Sequence, residues 1–118
     1  MGVRTPGRRR PDLVLGELPP DLRAGDYWKV LDKDGSERRS TNPENLTGTC
    51  WFVCVPMPGD SEGYGLGRLE HHTVREHDDG TISVRPNDGS SNSILVSGGP
   101  RGRWHGYIDH GTLEEADG

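Results

Sequence analysis

Three observations predict a mainly β protein. Gly and Pro number 18 and 9 among 118 residues, a rich supply of turns, while Ala, the strongest helix former, occurs only twice. Apolar residues come in short runs separated by Gly, Pro, Asn and Asp clusters, without helical spacing. Leu, Ile, Val and Phe together supply only 22 residues, so the core is thin and the polar connections are long. The expectation is a small antiparallel sheet of about five to seven short strands, a partly open barrel or sandwich, with no helix and no internal repeat.

Residues 1–22 read as a disordered, basic, Pro-rich arm in which Leu13-Val14-Leu15 lays one short strand against the body, and residues 23–118 as a single β-rich domain. Asp26–Leu31 is the first full strand, closed by the turn Asp32-Lys33-Asp34-Gly35. In the strand over residues 49–55, Cys50, Phe52 and Cys54 share one face and Trp51, Val53 and Val55 the other. Both faces are apolar, which places this strand centrally. Pro56 and Pro58 end it, because neither can donate to a ladder. Residues 59–67, with Gly59, Gly63, Gly65 and Gly67, read as a mobile loop. Asp78-Asp79-Gly80 turns a polar segment back into residues 81–85 as a hairpin. Ile94-Leu95-Val96 is a short strand, and residues 104–108 pair with Thr112–Glu115 across Asp109-His110-Gly111.

A chain of this length has room for one small core, which excludes an enzyme with separate cofactor and substrate lobes. Two cysteines are too few for a disulfide scaffold, and no apolar run approaches the ~20 residues of a membrane span. No apolar stretch of the secretory type follows the N-terminal arginines, so a cytoplasmic location without membrane contact is expected. Arg4, Arg8, Arg9 and Arg10 carry four of the 14 basic charges, leaving ten basic against nineteen acidic side chains in the rest of the chain. Such a body repels a phosphate backbone, so nucleic acid is not an expected partner. Gly63-Tyr64-Gly65-Leu66-Gly67 lacks the helix and the Lys-Ser/Thr pair of a nucleotide loop.

Chemistry centres on five histidines, all in the second half of the chain. His77 and His110 each stand beside a turn Asp and read as solvated polar residues. His71 and His72 alternate along the chain, so one of them faces the interior of the sheet. With Cys50 and Cys54 they are the candidate ligands of a zinc ion. Against that, Cys-x-x-x-Cys lacks the tight knuckle of Cys-x-x-Cys, and both cysteines read equally as small buried hydrophobes. His105, between Trp104 and Tyr107, has the setting of an orientated general base. Ser93 enters the Ile94 strand from a Ser-rich loop, and a serine is a useful nucleophile only with a base in hydrogen-bond reach. Ser93 and His105 are thus the minimal catalytic unit, with His72 or Asp88 as candidates to orient the base. Gly89, Gly98 and Gly99 can aim backbone N–H groups at an oxyanion.

The succession Asp79-Gly80-Thr81-Ile82-Ser83-Val84, Asn92-Ser93-Ile94 and Trp104-His105-Gly106-Tyr107-Ile108, with Gly111 after it, resembles a family of small bacterial and phage proteins, the BubE-like group. In that family an Asp-Gly-Thr strand leads to Pro-Ser-Ile and then to a His followed by aromatic residues and a Gly turn. The resemblance covers residues 49–115 and implies a peptidase linked to bacterial ubiquitin-like conjugation, with Ser93 as nucleophile and His105 as its base. The N-terminal half is similar to small proteins of actinobacterial phages. Asn92 stands where the family has Pro, and of the Cys-Gly-rich metal segment of many relatives only Cys50 and Cys54 are present.

Three readings follow. The first is a serine-type hydrolase acting on a peptide or isopeptide bond of a protein substrate, ubiquitin-like substrates included, in the cytoplasm of a bacterial host. The second is a non-catalytic phage accessory protein that binds a host protein through exposed aromatics such as Trp28 and Trp104 and through the 59–67 loop. The third is a small zinc-binding β domain.

Overall fold

The computed structural model describes residues 3–39, 49–69, 72–84, 93–98 and 102–116, and among these the regular structure is all strand. In chain order the strands are β1 (Arg4–Thr5), β2 (Arg8–Arg9), β3 (Leu13–Val14), β4 (Asp26–Leu31), β5 (Trp51–Pro56), β6 (Tyr64–Arg68), β7 (Arg75–Glu76), β8 (Ile82–Ser83), β9 (Ile94–Ser97), β10 (Arg103–Asp109) and β11 (Thr112–Glu115). One sheet runs β1-β11-β10-β9 and a second β2-β4-β5-β6, with β3 pairing further along β4. The hairpin β7-β8 leans on the first sheet through a bridge between Val84 and Ile108. The pairings are antiparallel except where β2 and β3 run parallel to β4. The sheets form an open, layered arrangement and do not close into a barrel among the described residues. No described helix is long and apolar enough to cross a membrane.

Strand alternation accounts for where the core sits. Trp51, Val53 and Val55 of β5 meet Ile94, Trp104, Ile108 and Leu113 of the first sheet, and Val74, Ile82 and Val84 close the same cluster. On the other face of β5, Cys50, Phe52 and Cys54 pack with Trp28, Val30 and Leu22. Trp28 is 1% and Trp104 3% exposed. Both are core residues, which corrects their reading as exposed partner contacts.

The described part of the arm, residues 3–22, carries three paired strands, which corrects the expectation of a disordered leader. Its β1 extends the first sheet, and β2 and β3 lie beside β4. The cause is charge pairing. Arg8 Nε and Nη2 each donate to a different oxygen of the buried Asp26 carboxylate at 2.8 Å. Arg9 donates to Glu76 at 2.7 Å and to the Gly80 carbonyl at 2.9 Å, with its guanidinium 5.0 Å from the Trp51 ring centre. Arg10 pairs with Asp21 at 3.0 Å. The arginines are spent on the acidic body rather than on solvent, and they tie the arm to both the second sheet and the β7-β8 hairpin.

The stretch read as a loop over 59–67 also differs, because Tyr64–Arg68 is a strand paired with β5. A Cβ on Gly67 would lie 3.1 Å from both Val53 Cγ1 and Val96 Cγ2, and one on Gly65 would lie 2.8 Å from Met57 Cε. These glycines make room for β9 to approach β6 and do not serve mobility. At Gly106, on the inward face of β10, a Cβ would lie 2.8 Å from the Trp104 indole and collide with the Glu114 carbonyl. Gly106→Ala is therefore expected to cost about 1–3 kcal/mol through overpacking. The check is a lower urea midpoint at an unchanged denaturant slope.

Candidate active site

The inward residues of β10 are Trp104, Gly106 and Ile108, so Arg103, His105, Tyr107 and Asp109 face outward. On the neighbouring β9, Ile94 is buried and Leu95 exposed, so the outward face there carries Leu95, with Ser93 two residues before it. The register sets His105 opposite Leu95, which makes Ser93 the diagonal neighbour of His105. The two side chains meet: Ser93 Oγ is 2.6 Å from His105 Nε2. Both residues are half-buried, and β9 ends the sheet among the described residues, so the pair lies at an accessible edge. The Tyr107 ring stands 6.5 Å from the imidazole, centre to centre.

This arrangement supplies what a serine needs to become a nucleophile. An imidazole with its proton on Nδ1 offers the lone pair of Nε2 to the hydroxyl, at a distance where proton transfer follows the existing hydrogen bond. A third orienting group is not joined to His105 among the described hydrogen bonds. Asp109, on the same face, accepts from His110 Nδ1 at 2.8 Å, and Glu114 is paired with Arg4 at 3.4 Å. His72 lies in the connection between β6 and β7, half-buried, with its N–H donating to the Leu69 carbonyl at 3.1 Å. No described hydrogen bond links His72 to Ser93 or His105. The Gly98 N–H donates to the Gly102 carbonyl at 2.9 Å and is thereby occupied. Asp88, Gly89, Asn92 and Gly99 lie outside the described residues.

The candidate zinc ligands are placed differently. Cys50 and Cys54 are free thiols inside the second apolar cluster. Burial, with the nearby Asp26 charge, pushes the Cys54 thiol up to about 12, opposite to what a thiolate ligand requires. His71 lies outside the described residues, and no group of three or more His, Cys, Asp or Glu side chains with metal-holding geometry occurs among those described.

A further cluster, without a local signal in the sequence, forms around Ser83. Ser83 is fully buried, and its Oγ accepts the His110 N–H at 2.9 Å and stands 2.7 Å from His77 Nε2. The His77 and His110 rings stack at 3.8 Å with 11° between their planes. His110 (φ 46°) and Gly111 (φ 80°) form a two-residue hairpin turn of the mirror-image type, and β8 collects its inward N–H groups. The turn was legible, but its contact with the other turn depends on the Val84 to Ile108 bridge, which no local pattern announces. Ser83→Ala leaves a buried N–H without its acceptor and is expected to cost about 1–3 kcal/mol, measured by urea unfolding.

Comparison of the chain with family models, with curated proteins and with solved structures finds no match.

Proposed function

We propose that the protein is a serine-type hydrolase of peptide or isopeptide bonds, with Ser93 as nucleophile and His105 as general base. The single observation behind this reading is the 2.6 Å contact between Ser93 Oγ and His105 Nε2. In the first step the Ser93 proton passes to Nε2 while Oγ bonds to the substrate carbonyl carbon, giving a tetrahedral oxyanion. Its collapse breaks the C–N bond, and the proton on Nε2 leaves with the amine. His105 then takes a proton from water, the resulting hydroxide adds to the ester, and the acid is released as Oγ regains its proton. The open sheet face suits an extended polypeptide or the tail of a ubiquitin-like protein better than a small metabolite. The resemblance of the Ser93 and His105 segments to the BubE-like group agrees with such a substrate and with action in the cytoplasm of a phage-infected bacterium.

The test is the intact mass of the protein after treatment with a fluorophosphonate. A single covalent adduct on Ser93 is expected, and an unreacted, well-folded protein would overturn the hydrolase reading. Ser83→Ala is expected to retain the adduct, because Ser83 is fully buried.

A second reading, a non-catalytic surface for a host protein, rests on Leu95, which is 58% exposed beside the same pair. On that reading Leu95→Asp abolishes partner capture while Ser93→Ala leaves it unchanged.

A further inference from the structure

On the far face of the second sheet, away from Ser93 and His105, a cavity of about 300 Å³ opens between residues 15–18 and the strands β5 and β6. Leu15, Leu18, Cys50, Phe52 and Leu66 give it an apolar lining. Two guanidinium groups, Arg38 and Arg68, stand in its wall. They differ in what they already hold. Arg38 is paired with Asp32 at 2.9 Å. Arg68 is exposed, lies 5.8 Å from the Phe52 ring centre, and makes no ion pair among the described residues. A cation–π contact at this distance leaves the N–H fork of the guanidinium open to a carboxylate. Leu18, which also lines the cavity, is 46% exposed.

We infer that this cavity is a binding site for a free aliphatic monocarboxylate, its chain against Phe52 and Leu66 and its carboxylate on Arg68. A volume near 300 Å³ is at the lower end of small-ligand sites and too small to seat a folded partner. The charge argument fixes the ligand's sign. The chain carries a net charge of −5, so an anion is repelled over most of the surface and needs a local cation to bind. Arg68 provides one, and its bidentate fork matches a carboxylate in shape as well as sign. An aliphatic chain supplies the rest by burying Leu18, Leu15 and Leu66 against apolar surface. The site is independent of the hydrolase reading, since it lies on a different sheet and shares no residue with the Ser93 and His105 pair.

The experiment is a titration of ¹⁵N-labelled protein with octanoate, below its aggregation threshold, followed by backbone amide shifts. Saturable shifts at Phe52, Leu66 and Arg68, with His105 and Ser97 unmoved, are expected. Octanol of the same chain length should bind about tenfold more weakly, because it forgoes the charge-assisted contact. Arg68→Gln should bring octanoate down to the level of octanol, and Leu18→Asp, which sets a carboxylate at the mouth, should abolish octanoate binding. Both substitutions are at exposed positions and leave the core intact. The proposal is overturned if octanol and octanoate bind alike, if Arg68→Gln changes nothing, if the shifts centre on His105, or if no saturation occurs. A short peptide ending in a free leucine carboxylate is the last arm, and tighter binding of that peptide than of octanoate would overturn the free acid as occupant.

Discussion

Ser93→Ala should reduce hydrolysis of an activated ester, and capture of a fluorophosphonate, on the order of a thousandfold, and His105→Ala should do almost the same. The basis is the geometry of the pair. With the Ser93 hydroxyl 2.6 Å from Nε2, each group is useful only through the other. Removing the hydroxyl leaves a base without a nucleophile, and removing the imidazole leaves an alcohol that is scarcely ionised near neutral pH. The double variant should therefore be no slower than either single one, a failure of additivity that separates a working pair from two residues acting independently. Both residues sit half-buried on the outward face, away from the core that Trp104 and Ile108 build from the same strand. Each variant should keep the wild-type unfolding free energy within roughly 0.5 kcal/mol, so a loss of activity cannot be charged to unfolding. Equal rates for Ser93→Ala and the wild type would dispose of the mechanism, and attention would then pass to the exposed Leu95 as a binding residue.

Where the information is local, the sequence was a good guide. The strand Asp26–Leu31, the two-faced character of the strand through Trp51, and the hairpin across His110 and Gly111 each rest on alternation or turn chemistry, and each is present. The Ser93 and His105 contact has no such local pattern, because only the pairing of β9 with β10, which sets His105 opposite Leu95, brings the two side chains together. The features that differ from the sequence expectation depend on partners distant in the chain. Gly65 and Gly67 look like flexibility until Val96 is seen to need the space where their side chains would be. Arg8, Arg9 and Arg10 look like a solvated tail until Asp26, Glu76 and the Trp51 ring are placed around them. His77 and His110 look like two unrelated turn residues until Ser83 joins them. In each case composition gave the residue types and the fold assigned their use.

The largest stability effect is expected at Asp26. Its carboxylate is fully buried, yet it accepts two hydrogen bonds from Arg8, a third from the Arg23 N–H at 3.1 Å, and lies 3.4 Å from Arg10. Burial works to raise its proton affinity, but the Arg8 fork, the Arg23 N–H and the Arg10 charge outweigh it and hold the carboxyl below the usual range. Asp26→Asn keeps the size and removes the charge, so the amide group turns a donor toward a donor and the arm's guanidinium groups lose their common anion. A fully buried pair broken in this way costs about 3–5 kcal/mol. Arg8 is partly exposed and can regain water, so about 2–4 kcal/mol is expected here, a large share of a small domain's total. The sign with pH follows from the lowered value. The stabilisation is complete above the unfolded carboxyl value near ~3.9 and is lost as pH falls through the lower folded value. The stability gap between the wild type and Asp26→Asn should thus be constant near neutrality and begin to narrow below about pH 4. Glu76 is also held low, since Arg9 and Lys29 outweigh the effect of its burial, so it contributes acid sensitivity of the same sign to both proteins. Arg9 and Lys29 are not partners of Asp26, so that share cancels in the difference. Urea unfolding at pH 7 and pH 3 measures it. A gap as wide at pH 3 as at pH 7, or one absent at pH 7, would mean that the arm is held by its backbone pairing with β4 and β11 and not by the buried carboxylate.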